Sequence, residues 1–331
     1  MSIFPFLIIV RLVKKESGQM KKFSDLGLIQ NLEQFVETLK YNDLEFIWEP
    51  QSLYHYTSSN SLQSILKNKV LWLSKSEFLN DRNELKYTID LVNEIITEMM
   101  SDEQTLEELV FKESINNYLK RSDDLFEVYV LSLSKNKDSN LLWSNYATDD
   151  GYNIEFQYPN IALNLQKQFD ECFGEGNGTI QPYYVIYDLS QQRKLIEKEI
   201  QNLYRIFKFC FQKNDDDLFL KSASKPLTNI FHYSVFFKDK CFSQEEEFRV
   251  AVIVQKNNIS NPVYNCRTNK GVFIPYISLA YMSLVNESPI NSVVIGPKNN
   301  LDIAEDGLRY YLDLCEFKEC SIHKSVIPYR Y

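Results

Sequence analysis

The sequence predicts an α+β fold. Short apolar and aromatic runs of strand character are separated by amphipathic helical stretches, without regular strand–helix alternation. Hydrophobic residues make up 44%, with 21 Tyr and 22 Phe against 9 Gly and 10 Pro in 331 residues, which supplies a sizeable core and excludes collagen-like or low-complexity chains. Neither GxGxxG nor GxxxxGK[ST] occurs, so the dinucleotide-binding βαβ unit and the P-loop have no foothold.

Each element follows from its local pattern. Leu28, Leu32, Phe35 and Leu39 recur at three- and four-residue spacing and predict an amphipathic helix over 25–40. Ser52 to Thr57 is a strand, Ser58 to Asn68 a helix with Leu62, Ile65 and Leu66 on one face, and Val70 to Ser74 a second strand. Helices follow over Tyr87–Met100 and Thr105–Lys120, then strands over Phe126–Leu133 and Tyr152–Phe156. A strand is expected over Tyr183–Tyr187 and a long helix from Ser190 to about Phe211, while Phe231–Phe237 stays open between helix and strand. Glu247–Val254 alternates as a strand, Ser292–Ile295 is a short strand ending in Gly296-Pro297, Ile303–Leu314 is helical, and Glu319–His323 closes the chain as a strand.

The net charge of -9 disfavours nucleic acid as a constitutive partner, though not as a substrate. Six cysteines at irregular spacing, without a CxxC pair and with only three histidines, give no zinc signature and are expected to be buried thiols of a reducing cytoplasm. Ile3 to Val13 is apolar but interrupted by Arg11, far short of the ~20 residues of a membrane span, and has no basic leader or cleavage site. It is expected to be a strand or a packed leader, with translation from Met20 as the alternative. The protein is expected to be soluble and cytoplasmic, with no membrane partner.

A set of motifs adds a resemblance. Leu53-Tyr-His-Tyr-Thr-Ser58, the Ile65-Leu66 pair and Leu71-Trp-Leu-Ser74 together resemble the first motif of ADP-ribosyltransferases. More closely, Tyr54–Thr57, Ser74, Asn80-Asp81, Glu84, Trp143-Ser-Asn-Tyr146, Gly151–Phe156, Glu245–Arg249 and Ser325–Arg330, in that order, resemble the bacterial DUF2971 family. Arg82 stands where that family often has Pro. The resemblance implies an ADP-ribosyltransferase-like split β-sheet core with flanking helices. It also implies an N-terminal helical extension over 1–50, a single domain over 51–331 and a helical insert near 190–225.

It further implies NAD as substrate. Cleaving the nicotinamide–ribose bond develops positive charge on the ribose, so a carboxylate beside the 2'-hydroxyl, a ring to hold the nicotinamide and a donor for the ribose hydroxyls are needed. Glu247 is the expected catalytic carboxylate. Glu245, two residues earlier and on the same face of an extended chain, positions the acceptor, and His55 holds the ribose. Tyr56, Thr57, Ser74, Asn80 and Tyr146 are the expected ligand contacts, Tyr146 as the stacking ring. Arg249 contacts pyrophosphate or, as the favoured reading, forms an ion pair with Glu245 or Glu247. Arg330 is either a phosphate contact or part of a packed tail. Each has a plainer reading: a triple glutamate is usually a solvated run, a lone His between tyrosines is usually core, and Trp143 with Tyr146 is a helical packing pair.

Three function classes remain. The first is an NAD-dependent ADP-ribosyltransferase, or NAD glycohydrolase, acting on a protein or nucleic-acid acceptor. The resemblance gives it the role of a toxin or anti-phage defence effector held in check by a regulatory partner. The second is a scaffold that binds a nucleotide or partner without turnover. The third, ranked last, is a metal-dependent nuclease using Asp81, Glu84 and Glu245–Glu247. No metal is expected.

Overall fold

The structure, a computed structural model, describes residues 51–79, 84–100, 104–147, 150–174, 178–213, 216–256, 263–269, 271–282, 288–299 and 302–328. The apolar run from Ile3, the helix expected over 25–40 and the candidates Asn80, Asp81 and Arg330 lie outside the described residues.

In chain order the elements are β1 (Gln51–Thr57), α1 (Ser59–Asn68), β2 (Val70–Lys75), α2 (Glu84–Met99), α3 (Leu106–Leu125), β3 (Phe126–Ser134), α4 (Asn140–Tyr146), β4 (Tyr152–Tyr158), α5 (Asn160–Phe173) and β5 (Gly178–Tyr184). They continue as α6 (Leu189–Lys213), α7 (Asp216–Phe236), β6 (Glu247–Gln255), β7 (Tyr264–Asn269), β8 (Val272–Ala280), β9 (Ile290–Ile295), α8 (Ala304–Leu314) and β10 (Ser321–Lys324). The chain thus mixes helices with a mostly antiparallel sheet, as the α+β expectation requires.

These elements fall into two compact units where the sequence led us to expect one domain with an insert at 190–225. One unit contains Asn83–Leu125 and Asp188–Phe237 and holds α2, α3, α6 and α7. Its helices bury their apolar stripes against each other: Ile196, Ile200, Leu203 and Phe207 of α6 recur every three or four residues and are all at most 2% exposed. The same requirement settles Phe231–Phe237. Ile230, Tyr233 and Phe237 are all buried one helical turn apart, so the aromatic run is helical through Phe236.

The second unit is built on the sheet, ordered β10-β9-β4-β1-β3-β2-β8-β7, with β6 paired to β3 and β5. β3 is its junction. One edge of β3 pairs with β6 along its whole length, from Phe126 opposite Gln255 to Ser134 opposite Glu247. The other edge is divided: Ser134 meets Tyr54 of β1, while Val130 and Tyr129 meet Ser74 and Lys75 of β2. Between those points, among the described residues, 131–133 pair with no strand on that edge, and the sheet parts there.

Strand alternation then sorts the side chains. Leu53, Leu71, Leu73, Leu131, Leu133, Phe248, Val250, Ile277 and Leu279 face one side, where α1, α5 and α8 pack with Leu66, Leu165 and Leu312 into one core. On the opposite side α4 packs Leu142 and Trp143 against Tyr56 and Val294. Gly151 is required by close approach, because a Cβ there would sit 2.0 Å from the Ala147 carbonyl oxygen.

The strand expected over Tyr183–Tyr187 lies instead at Gly178–Tyr184, drawn N-terminally by its pairing with β6; Gly178 permits that contact, since a Cβ would meet the Ile253 carbonyl at 2.4 Å. The hairpin of β7 and β8 escaped the sequence pattern because β7 is a mostly exposed polar edge strand and Pro275 interrupts β8. The cysteines are free thiols but not uniformly buried: Cys210 and Cys320 are, whereas Cys241 and Cys266 are exposed. Among the described residues no helix is long and apolar enough to cross a membrane.

Candidate functional site

Glu247 opens β6 and stands opposite Ser134, with Arg249 opposite Ser132, so these four residues share one face of the sheet. Glu247 is 4% exposed and Arg249 1%. The carboxylate is met from three directions. Arg249 grips it in a fork, Nε to Oε1 at 2.8 Å and Nη2 to Oε2 at 3.1 Å. Ser132 Oγ donates to Oε1 at 2.6 Å, and Lys238 Nζ to Oε2 at 3.1 Å. Burial alone would raise its pKa, but the charges of Arg249 and Lys238 and these hydrogen bonds hold it at about 2. Four donors fill the roughly four acceptor positions of an ionised carboxylate.

Glu245 joins the same cluster by another route than expected. An extended chain over 245–247 would align the two carboxylates, but Glu246 turns left-handed at φ 45, ψ 46, capping the 3-10 turn Lys240–Glu245. Glu245 is buried while Glu246 is exposed. Lys238 Nζ bridges the pair, donating to Glu245 Oε2 at 2.6 Å as well as to Glu247. The Lys238 pKa is shifted by burial downward and by the two glutamates upward, and the carboxylates win. Two carboxylates, one lysine and one arginine therefore make a neutral buried quartet, in contrast to the solvated charge run a triple glutamate usually denotes.

Tyr146, at the end of α4, donates its hydroxyl to Glu245 Oε1 at 2.9 Å and keeps 39% of its surface exposed. Trp143 does the packing instead, edge-on to Tyr56 at 4.8 Å and with Nε1 donating to Asp138 at 2.6 Å. Tyr56, expected among the ligand contacts, is built into the scaffold. Its hydroxyl donates to the Asn136 carbonyl at 2.8 Å and accepts from the Ser139 N–H at 2.9 Å, which fixes the turn before α4.

His55 lies at the parting of the sheet. It is paired with Ile154, a core residue, so alternation puts it on the side away from Glu247. Its ring reaches β3 edge-on, with Nδ1 3.2 Å from the Ser132 carbonyl, and a neutral ring carrying its proton on Nδ1 donates there. Burial, with a smaller contribution from the Arg267 charge, lowers its pKa and outweighs the Ser132 carbonyl, so the imidazole is neutral at pH 7. Ser132 thus holds His55 through its carbonyl and Glu247 through its hydroxyl. Thr57 is buried at the end of β1, and Ser74 is buried and accepts from Arg267 Nη2 at 2.9 Å.

Three residues of this arrangement were not singled out from the sequence. Ser132 is a small polar residue in the apolar strand Val130–Leu133, which was its signal, whereas Lys238 opens the charged run Lys238-Asp239-Lys240 and has no such signal. Arg267 sits in a polar strand and carried none. Of the carboxylates a nuclease would use, Glu245 and Glu247 are already neutralised by Lys238 and Arg249, and Asp81 lies outside the described residues. Among the described residues no group of three or more His, Cys, Asp or Glu is placed to hold a metal.

The unit is therefore a mostly antiparallel α+β domain with a buried ionic cluster where its sheet parts. Residues 142–250 match the family model described as Protein of unknown function (DUF2971). That span includes Trp143–Tyr146, Gly151–Phe156 and Glu245–Arg249, and it supports the resemblance read from those motifs; Tyr54–Thr57 and Ser325–Arg330 lie outside it. No curated protein and no solved structure matches the chain.

Proposed function

We propose that this chain is an NAD-dependent ADP-ribosyltransferase, cleaving the nicotinamide–ribose bond and passing ADP-ribose to a macromolecular acceptor. The observation that carries the reading is Ser132. Its hydroxyl meets the ionised Glu247 of β6, the expected catalytic carboxylate, and its carbonyl meets His55 of β1, whose side chain lies on the other face of the sheet. Glu247 is ionised, as a group stabilising a positive ribose must be. To engage a ribose 2'-hydroxyl it gives up one acceptor position. Ser132 is the donor it gives up, because a neutral hydroxyl is released at less cost than Arg249 or Lys238. Glu245, bonded to the half-exposed Tyr146, positions the acceptor, and Tyr146 offers the nicotinamide a ring.

The saturated coordination of Glu247 favours a second reading, a scaffold that binds nucleotide without turnover. Nicotinamide release from NAD by the purified protein, in lysate that supplies acceptors, separates the two. Release by wild type, and its loss in Glu247→Gln with the fold verified by circular dichroism, supports transfer. Should Glu247→Gln not fold, Tyr146→Ala and His55→Gln carry the same comparison. NAD bound but never consumed leaves the scaffold.

A further inference from the structure

We infer that Arg267 and Ser74 form an anion-binding site for the phosphate of a nucleotide, beside a stacking surface made by Trp72. Arg267 is opposite Ile274 on β8, and Ser74 is opposite Tyr276, so Arg267, Ser74, Tyr276 and Trp72 share one face of the sheet. It is the face on which Ser132, Arg249 and Glu247 lie, reached through the pairing of Ser74 with Val130.

Among the described residues the desolvated guanidinium is offset only by a hydrogen bond to Ser74. It is half-buried, and among the described residues no carboxylate pairs with it. Its Nη2 donates to Ser74 Oγ at 2.9 Å, while its Nε is fully buried and has no acceptor among the described residues. Elsewhere in this sheet Arg249 takes the opposite solution, a fork onto Glu247. A desolvated arginine left without an anion presents planar donors that match phosphate oxygens. Burial lowers its pKa against a smaller opposing effect of the Tyr276 hydroxyl, yet it stays far above neutrality as arginine always does.

The ligand's other half is set by the neighbouring rings. Trp72 stacks on Tyr276 with centroids 4.5 Å apart at 26°, and 36% of the tryptophan remains exposed on an outer face of the unit. An exposed indole one residue pair from a guanidinium that has no carboxylate partner among the described residues suits a planar base carrying a phosphate, since base stacking and a phosphate contact are independently favourable. The geometry requires no bond cleavage and does not depend on the transferase reading.

Isothermal titration with AMP and with inorganic phosphate tests this on the full chain. Wild type is expected to bind AMP at least tenfold more tightly than phosphate. Arg267→Gln should weaken AMP at least tenfold while leaving the melting temperature unchanged or raised, because it removes an uncompensated buried charge. Trp72→Ala should weaken AMP but not phosphate. Equal affinity for AMP in wild type and Arg267→Gln, equal affinity of wild type for AMP and phosphate, or no binding of either at millimolar concentration overturns the assignment. If Arg267→Gln fails to fold, Arg267→Lys serves, since it keeps the charge and loses the fork. Arg267-dependent AMP binding without NAD consumption removes the transferase and keeps this site; NAD consumption by a protein whose AMP affinity is the same in wild type and Arg267→Gln does the reverse.

Discussion

Ser132 donates its hydroxyl to Glu247 Oε1 at 2.6 Å, while Arg249 donates to that same oxygen at 2.8 Å and to Oε2 at 3.1 Å. One donor is neutral and the other charged, so their removal should cost different amounts. In Ser132→Ala the carboxylate keeps both cations, and the loss is about 1–2 kcal/mol, the range for a hydrogen bond to a charged group with other partners remaining. Arg249→Met leaves the buried glutamate with Ser132 and with Lys238 as its remaining cation, and should cost about 3–5 kcal/mol. Urea unfolding of the two variants checks the order. Equal losses would mean that Arg249 does not carry the neutralisation of Glu247.

The acid limb of stability should be dominated by Glu247. Its pKa falls from 4.5 to about 2 on folding, so the unfolded chain binds the proton first as pH drops. The stabilisation is fully present above about pH 4.5 and is lost as pH falls through about 2; the full shift corresponds to about 3 kcal/mol. The unfolding free energy of wild type should therefore decline between pH 4.5 and 2.5 more steeply than that of Glu247→Gln. Parallel curves would show that other carboxylates control the limb. His55 acts at higher pH. Its depressed pKa disfavours the charged form in the fold, so its contribution is present above about pH 6.5 and declines below it, a slope His55→Gln should remove.

How much of this was legible in the sequence depended on the range of the interaction. Elements with strong periodicity were readable, such as β6 with its alternating Phe248, Val250, Val252 and Val254, or α1 with Leu62, Ile65 and Leu66. The grouping of α2 and α3 with α6 and α7 was not, because it joins segments far apart in the chain whose stripes show what is buried but not against what. The ion pair of Arg249 with Glu247 was readable because the two are neighbours on one strand face. Lys238 and Ser132 were not, since each enters through tertiary placement. Likewise Glu245 and Glu247 converge through a left-handed residue that an extended reading of the chain does not include.

Asp138 anchors the C-terminal segment. Its Oδ1 accepts from Trp143 Nε1 and Ser325 Oγ, both at 2.6 Å, and its Oδ2 from the Val326 N–H at 2.8 Å. Ile327 packs beside Trp143 in the same cluster. Asp138→Ala should leave a buried indole N–H unpaired, at about 1–3 kcal/mol, and release the tail. Limited proteolysis is the direct readout: cleavage after residue 324 should become faster in Asp138→Ala than in wild type. An unchanged rate would show that β10 and Ile327 hold the tail without the aspartate.

Glu246 offers the opposite kind of change, a gain. Its backbone sits at φ 45 because the chain must turn between the buried Glu245 and the first residue of β6. Its amide donates to the Ser243 carbonyl at 3.2 Å and its carbonyl accepts from the Lys135 N–H at 3.0 Å, so the conformation is held from both sides. The side chain is exposed. A residue with a Cβ in the left-handed region is strained by about 1–2 kcal/mol, whereas glycine adopts it freely but loses more entropy on folding. Glu246→Gly should therefore be neutral to stabilising, by up to about 1 kcal/mol, and Glu246→Val, with a branched Cβ, should be destabilising by a similar amount. Thermal melts of the two variants beside wild type give the comparison. If glycine were the more damaging substitution, the Glu246 side chain would be holding the turn by a contact of its own.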